Sequence, residues 1–393
     1  MKLNYIFDQR IERRKTNSLK WDATSRLYGK ENLLPLWVAD MDFHAPEPVI
    51  EVLKQKVEHG IFGYSIKPQL VDEAVVDWLA RRFTWRVSEK DIVYTSGVVP
   101  AIDQIIQEFT EEGDKIIIQS PVYHPFFTLV TNNKRELVEN PLVYKDRYYT
   151  MDFDNLEANI DEKTKLLLLC SPHNPVGRVW KREELEQLAE ICIKHDLIII
   201  ADEIHADLVF APHKHIPFAS LSEELAKRTI TCMAPSKTFN LAGLQASYVI
   251  IENEQWRRRL QLRLEQRFVT MQNTFALPAL EAAYRHGEEW LEQLIIYLKG
   301  NLDCAKQFFE RECPQIKLIE PEGTYLLWLD CSRMGLTDEE RKRWLVEDAK
   351  LALNHGPMFG KQGSGFERMN IACSRETLKQ ALSNLNTNNN IKK

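Results

Sequence analysis

The chain is poor in every residue type that would mark it as something other than an ordinary folded protein. Its 15 glycines and 17 prolines in 393 residues fall far below the roughly 25% that signals collagen-like or low-complexity sequence. Its 7 cysteines (170, 192, 232, 304, 313, 331 and 373) are odd in number and scattered, with no CxxC pair. Neither a disulfide framework nor a cysteine-based zinc site is therefore expected; several lie inside apolar runs and read as buried reduced thiols. There is no cationic excess, since Lys+Arg total 51 against Asp+Glu 57 for a net charge of -6. That leaves little to neutralise phosphates, so nucleic acid is excluded as the main partner and a small molecule is favoured. No window approaches the ~18 consecutive apolar residues of a membrane span. The opening MKLNYIFDQRIERRK also lacks the apolar stretch of a signal peptide. A cytoplasmic protein with no membrane partner is expected.

Several chemical motifs are missing too. Gly360, Gly363 and Gly365 do not form GxGxxG, and neither a Walker A loop nor a GxSxG elbow occurs, which removes the dinucleotide, nucleotide and serine-hydrolase readings. His213 and His215 make an HxH. They stand in a Pro-flanked loop with no nearby carboxylate ligand in sequence, so a structural role is expected and no metal is predicted.

What is present is enough apolar sequence, 44% of residues with 27% charged, to bury a large core. At about 150 residues per domain the length gives two or three domains, or one large α/β unit with a smaller companion. Six short apolar runs occur at residues 91–95, 115–119, 165–170, 197–201, 229–233 and 247–251. They are nearly continuous rather than alternating, the pattern of strands buried on both faces of a parallel sheet. Helical patterns separate them at 99–109, 182–194 and 221–227, so right-handed βαβ crossovers are expected. After about residue 285 the pattern changes to long charged amphipathic helices at 288–312 and 338–353, with a short apolar segment at 325–329.

The predicted fold is therefore α/β: a large domain with a mostly parallel sheet covered by helices, over 46–284, plus a smaller α+β domain over 285–393. Residues 1–45 lack the βα rhythm and are expected to join the small domain or wrap the large one; we assign them to the small domain. The polar tail NLNTNNNIKK reads as frayed.

Ligands of open α/β sheets bind beyond the carboxyl ends of the strands, so the residues following each run carry the chemistry. Ser96-Gly97-Val98-Val99-Pro100 leads into a helix whose first N–H groups can hold a phosphate, with an ordinary helix cap as the alternative. Tyr123 brings a ring that can stack on a planar ligand or simply pack. Asn174, in SPHNPVG, offers an amide over the sheet or belongs to a structural turn. Asp202 ends the most hydrophobic run, where an unpaired carboxylate is costly, and so needs a cationic partner. Ser236 and Lys237 place a hydroxyl beside an amine that burial could deprotonate for nucleophilic use, an exposed lysine being the bland alternative. A phosphate cradle, a ring stacker, an amide, a buried carboxylate and such a lysine together match pyridoxal phosphate (PLP).

The ordered strand ends SGVVPA, PVYHPF, SPHNPVG, ADEIHADL and APSKTFNLAGLQ resemble the fold-type I PLP enzymes of the aminotransferase class I/II superfamily over nearly the whole chain. Within it, LWVADMDF, HGIFGYS, DEIHADL, HKHIPFASL and GFERMNIAC look like the MalY/PatB group of cystathionine β-lyases. The resemblance implies that Lys237 binds the cofactor covalently and acts as the base, that Asp202 pairs with the pyridinium nitrogen, that Asn174 binds the ring hydroxyl and that Tyr123 stacks. It implies a phosphate held by Gly97, Val98, Val99 and Ser236, with Tyr64 reaching across from a second subunit of a homodimer. It adds His205 to the cofactor's surroundings, and places Ala39, Tyr123, Asn174 and Arg368 at the substrate, Arg368 clamping the α-carboxylate.

Gln245 departs from many aminotransferases, which carry a phosphate-binding arginine eight residues after the lysine. The implied reaction is β-elimination on L-cystathionine or a related S-substituted L-cysteine, giving thiol, pyruvate and ammonia. An aminotransferase, and a regulatory protein that keeps the PLP fold, are the alternatives.

Overall fold

A computed structural model describes residues 5–386. All six apolar runs form strands of one seven-stranded sheet: β2 (Ile92–Thr95), β3 (Lys115–Ile118), β7 (Thr164–Cys170), β8 (Ile198–Asp202), β9 (Thr229–Met233) and β10 (Ser247–Ile250), in the order β2-β10-β9-β8-β7-β3-β4. The seventh, β4 (Glu136–Glu139), is an edge strand parallel to β3. It escapes sequence reading because none of its residues is fully buried, so it carries no continuous apolar run. The expectation of a mostly parallel sheet holds with one exception, since β10 runs antiparallel to both β9 and β2.

Helices cover both faces. Helix Val98–Phe109 turns Val98, Ala101, Ile102, Ile105, Ile106 and Phe109 inward, a spacing of three and four that puts them on one stripe. Each of the larger ones, the valine, isoleucines and phenylalanine, stabilises the layer by roughly 1.5–3 kcal/mol on leaving water. Helix Arg182–Lys194 buries Leu185, Leu188, Ala189, Ile191 and Cys192 on the opposite face. The helix expected at 221–227 starts later, at Glu223, because the Ser222 hydroxyl caps it by accepting from Leu225 N. Residues Phe218–Leu221 form a tighter turn instead.

A second sheet, in the order β11-β12-β15-β14, comprises β11 (Lys317–Ile319), β12 (Leu326–Asp330), β14 (Asn354–His355) and β15 (Phe366–Asn370), with the long helix Glu288–Arg311 before it in the chain. The helix expected over 338–353 stops at Glu347. Lys350 takes a φ of 53°, incompatible with helix continuation, and β13 (Leu351–Ala352) pairs in parallel with β1 (Leu34–Pro35). The N-terminal segment is thereby stitched to the C-terminal part of the chain. A small hairpin, β5 (Val143–Lys145) with β6 (Tyr148–Thr150), completes the strands. Of the polar tail, Asn384 to Asn386 end the helix Arg375–Asn386, and the rest lies outside the described residues.

Six of the seven cysteines are buried and Cys304 is half-buried. Among the described residues no helix is long and apolar enough to cross a membrane.

Candidate active site

The carboxyl ends of β2, β7, β8 and β9 open into a cavity of about 380 Å³. Ala39, Gly97, Val98, Val99, Tyr123, Asn174, Asp202, His205, Ser236, Lys237 and Arg368 all line it. These residues are scattered over more than 300 positions; those after β2, β3, β7, β8 and β9 come together because parallel strands bring their carboxyl ends to one edge, whereas Ala39 of the N-terminal segment and Arg368 of β15 (Phe366–Asn370) are brought in by the second sheet and the segment stitched to it. Tyr64 is not among them; it stands on an exposed stretch between helices, 96% accessible.

One end of the cavity is built for an anion. Helix Val98–Phe109 begins there with Gly97 at its N-cap and no side chain capping it, so its first N–H groups stay available, with the positive end of the helix dipole behind them. Ser236 lies in the short helical turn Pro235–Thr238 on the other side. A side chain at Gly97 would press on Pro100, its Cβ lying 3.1 Å from Cδ, so the absence of one keeps this wall open. Gln245 is exposed at the cavity edge with a left-handed φ of 54°.

The floor carries a carboxyl without a cationic partner. Asp202, at the last position of β8, is 4% exposed, and among the described residues no cation lies within ion-pair distance. Its one hydrogen bond, 3.2 Å from Ile204 N, falls on Oδ1. Burial pushes the carboxyl up to about 7, against the opposing pull of that hydrogen bond and of Lys237. The cationic partner expected from sequence is thus not found among the described residues, and a protonated ring nitrogen of a bound ligand fits the place.

Lys237 Nζ donates to Ala39 O at 2.7 Å. Burial pushes the amine down to about 8, with Arg368 pushing the same way and Asp40 and Asp202 opposing. At that value about a tenth is neutral at pH 7, far more than for an ordinary lysine, and this is the form that can attack a carbonyl or accept a proton.

Arg368 is the reverse of Asp202. It is 3% exposed and has no carboxylate partner among the described residues. Nη1 donates to Asn174 Oδ1 (2.8 Å) and Nη2 to Trp37 O (3.0 Å) and Asn354 Oδ1 (2.5 Å), while Nε donates to nothing. Its guanidinium lies 4.9 Å from the centre of the Phe359 ring. Burial lowers it to about 10. A buried cation held only by neutral oxygens is a receptor for an anion, and a planar guanidinium suits a carboxylate.

His205 is buried with Nδ1 unpartnered, and burial together with Lys237 and Arg368 pushes it down to about 3, so it is neutral. Burial, and then Asp202, raises the Tyr123 phenol. Its ring packs edge-on to Phe126 at 5.8 Å. Planar ligand, anion at one end, cation-binding carboxylate beneath: the donor set fits PLP.

Sequence reading missed Trp37, His124, Cys170, Asn354 and Tyr325. The first four line the cavity, and Tyr325 donates to the Ala39 carbonyl at 3.0 Å. Cys170 could have been found at the end of β7, opposite Asp202, and His124 next to Tyr123 after β3; Trp37, Asn354 and Tyr325 follow no strand end of the large sheet.

The HxH expectation needs one correction. A carboxylate is at hand, since His215 Nε2 lies 2.8 Å from Glu203 Oε2, and Glu203 Oε1 accepts from Phe218 N at 2.8 Å. The pair is buried and anchors the loop after β8. No group of three or more His, Cys, Asp or Glu among the described residues is placed to hold a metal.

The aminotransferase class I and II family matches residues 32–385. The chain is 45% identical to cystathionine beta-lyase PatB of Bacillus subtilis over 96% of its own length and 97% of that protein's. It superposes on a PLP-bound putative aminotransferase of Clostridium difficile with a TM-score of 0.97 and 46% identity, covering 99% of this chain and 100% of the other. Cystalysin of Treponema denticola, solved with a pyridoxal 5'-phosphate cofactor, gives a TM-score of 0.94 at 38% identity over 98% of both chains. With the family match spanning nearly its full length and this cavity at its centre, the chain belongs to the aminotransferase class I and II family.

Proposed function

We propose that the protein is a PLP-dependent carbon–sulfur β-lyase that cleaves L-cystathionine and related S-substituted L-cysteines to a thiol, pyruvate and ammonia. The observation that carries this reading is the triad of unsatisfied groups around one cavity: Asp202 without a cation, Arg368 without an anion, and Lys237 with a depressed amine. An amino acid joined to PLP supplies what all three lack.

The bound cofactor would supply an electron sink for the pair left when the substrate loses its α-proton. Lys237 would hold the cofactor covalently and, once displaced, take that proton on Nζ. Asp202 would keep a proton on the ring nitrogen, and the Asn174 amide would meet the ring hydroxyl while Tyr123 covers the ring. The N–H groups of Val98 and Val99, together with Ser236, would hold the phosphate. Arg368 would grip the α-carboxylate, fixing the substrate's Cα near Lys237. Ala39 and His205 complete the wall.

A lyase is favoured over an aminotransferase by the names of the relatives, PatB above all. The Clostridium difficile structure, called a putative aminotransferase, keeps the second reading open to test. The deciding assay is pyruvate and free thiol from L-cystathionine with no keto acid present. Equal amounts of both establish the lyase, whereas turnover that requires a keto-acid acceptor establishes the aminotransferase.

The active form is proposed to be a homodimer with Tyr64 completing the partner's phosphate site. Supporting it is an exposed apolar set on one part of the surface, Ile61, Phe62, Tyr64 and Ile66 with Phe268 and Met271. A Ser65–Thr274 hydrogen bond of 2.9 Å and a Phe62–Phe275 ring contact of 5.7 Å join the stretch around Tyr64 to the one that follows Met271. Exposed large apolar side chains gathered on neighbouring stretches are what an interface presents. The domain division proposed is 1–45 with 285–393, against 46–284. The cytoplasm is the proposed compartment, supported by the scattered, mostly buried cysteines.

A further inference from the structure

Every backbone carbonyl from Trp37 to Met41 accepts a hydrogen bond from a side chain. Trp37 O takes Arg368 Nη2 at 3.0 Å, Val38 O and Asp40 O both take Asn370 Nδ2 at 2.6 Å, and Met41 O takes Arg13 Nη1 and Asn240 Nδ2 at 3.0 Å each. Ala39 O takes two donors, Lys237 Nζ at 2.7 Å and Tyr325 OH at 3.0 Å. This segment is therefore fixed at the cavity by side chains along its whole length. At Ala39 the oxygen is shared between an amine that changes partners during the reaction and a phenol that does not. Tyr325 itself is fully buried, with its ring edge-on to His205 at 6.2 Å, so it has little freedom to leave.

We propose that Tyr325 is a positioning residue for Lys237: its hydroxyl fixes the Ala39 carbonyl as the dock for the uncombined lysine amine, and weakens that carbonyl as a partner for the protonated amine. The inference deepens the reading of Lys237 as the base and rests on it. A neutral amine that donates one N–H to Ala39 O keeps its lone pair free to take the substrate's α-proton. In that step the Cα–H bond would break, an N–H bond would form on Nζ, and the bound cofactor would supply the sink for the electron pair.

The resulting ammonium makes a charge-assisted bond to the same carbonyl, which favours keeping the proton. A second donor on that oxygen competes for its lone pairs and holds the preference in check. The other charges facing Nζ are Asp40 and Asp202, which favour the ammonium, and Arg368, which opposes it.

The test is the pH dependence of trace acetylation of Lys237 in the cofactor-free full chain, read by mass spectrometry, for the wild type, Tyr325→Phe and Asp40→Asn. Phe keeps the buried ring and removes only the hydroxyl. Tyr325→Phe is expected to move the labelling midpoint up by about half a pH unit, roughly a threefold change in proton affinity. Asp40→Asn is expected to move it down. In the loaded enzyme the acid limb of kcat for Tyr325→Phe should shift upward as well, with cofactor affinity unchanged. A midpoint that stays in place or falls in Tyr325→Phe overturns the proposal. Because labelling needs neither cofactor nor substrate, that failure is distinct from a failure of the pyruvate assay.

Discussion

Arg368 and Asn174, 194 residues apart, are joined by a 2.8 Å hydrogen bond from Nη1 to Oδ1. Arginine can only donate, so the bond fixes which way the asparagine amide faces, with its oxygen on the guanidinium and its NH₂ free to donate elsewhere. One contact thus ties β15 of the small sheet to the loop after β7 of the large one. It couples the residue proposed for the substrate carboxylate to the residue proposed for the cofactor ring.

Arg368→Lys removes the fork and the bond to Asn174 while keeping a charge. KM for L-cystathionine is expected to rise at least tenfold, and cofactor affinity to fall less, a loss of about 2 kcal/mol in substrate binding. Steady-state kinetics beside a cofactor titration separate the two. An unchanged KM would remove Arg368 from the substrate site.

Lys237→Ala should abolish both the yellow colour of the loaded protein and at least about a thousandfold of the elimination rate. Absorbance and the pyruvate assay check this together. Normal turnover by the variant would refute the mechanism.

Asp202 gives the cofactor-free protein a pH signature. Its carboxyl is raised to about 7 in the fold, so from its ordinary value up to that point the folded chain keeps a proton that the unfolded chain has lost. Stability from this group is therefore lost as pH rises. Between about pH 5 and about pH 7 the contribution that is lost amounts to about 2 kcal/mol. His205, held down to about 3, acts in the opposite sense over the lower part of that range. The measured quantity is accordingly the difference in urea stability between the wild type and Asp202→Asn. It should widen in the variant's favour with pH, and a constant difference would contradict the unpaired carboxylate.

Phe268→Asp, at a side chain 92% exposed, should convert a dimer to a monomer in light scattering and lower cofactor affinity along with it. Tyr64→Phe should lower cofactor affinity without dissociating the dimer. A monomeric, fully active wild type would dismiss the shared site.

Gly177 has a φ of +74°, and a Cβ there would stand 2.7 Å from Pro321 Cβ and 3.0 Å from Pro321 Cα. Its N–H donates to His173 O at 2.8 Å, closing the loop that carries Asn174. Gly177→Ala should cost about 2 kcal/mol or more through strain and overlap, seen as a lowered thermal midpoint. A melting curve like that of the wild type would show that the loop yields easily.

The strand ends were legible because a strand buried on both faces must be apolar throughout, so that Asp202 and Lys237 stand out at the close of such runs. β4 was not, because an edge strand half in water need not be apolar. The end of the helix at Glu347 was also hidden, since the backbone reversal at Lys350 uses no glycine or proline.

By itself the sequence determined the chemistry on offer and its order along the chain: a helix start after β2, an amide after β7, a carboxylate after β8, an amine after β9. Periodicity and composition act locally, and these residues are local to their strands. Only the tertiary structure decided what satisfies each group. That Asp202 finds no cation, that Arg368 rests on three neutral oxygens, and that Lys237 and Tyr325 meet on the carbonyl of Ala39 are consequences of segments far apart in sequence packing into one low-dielectric cavity, where the cost of an unpaired charge depends on every neighbour at once.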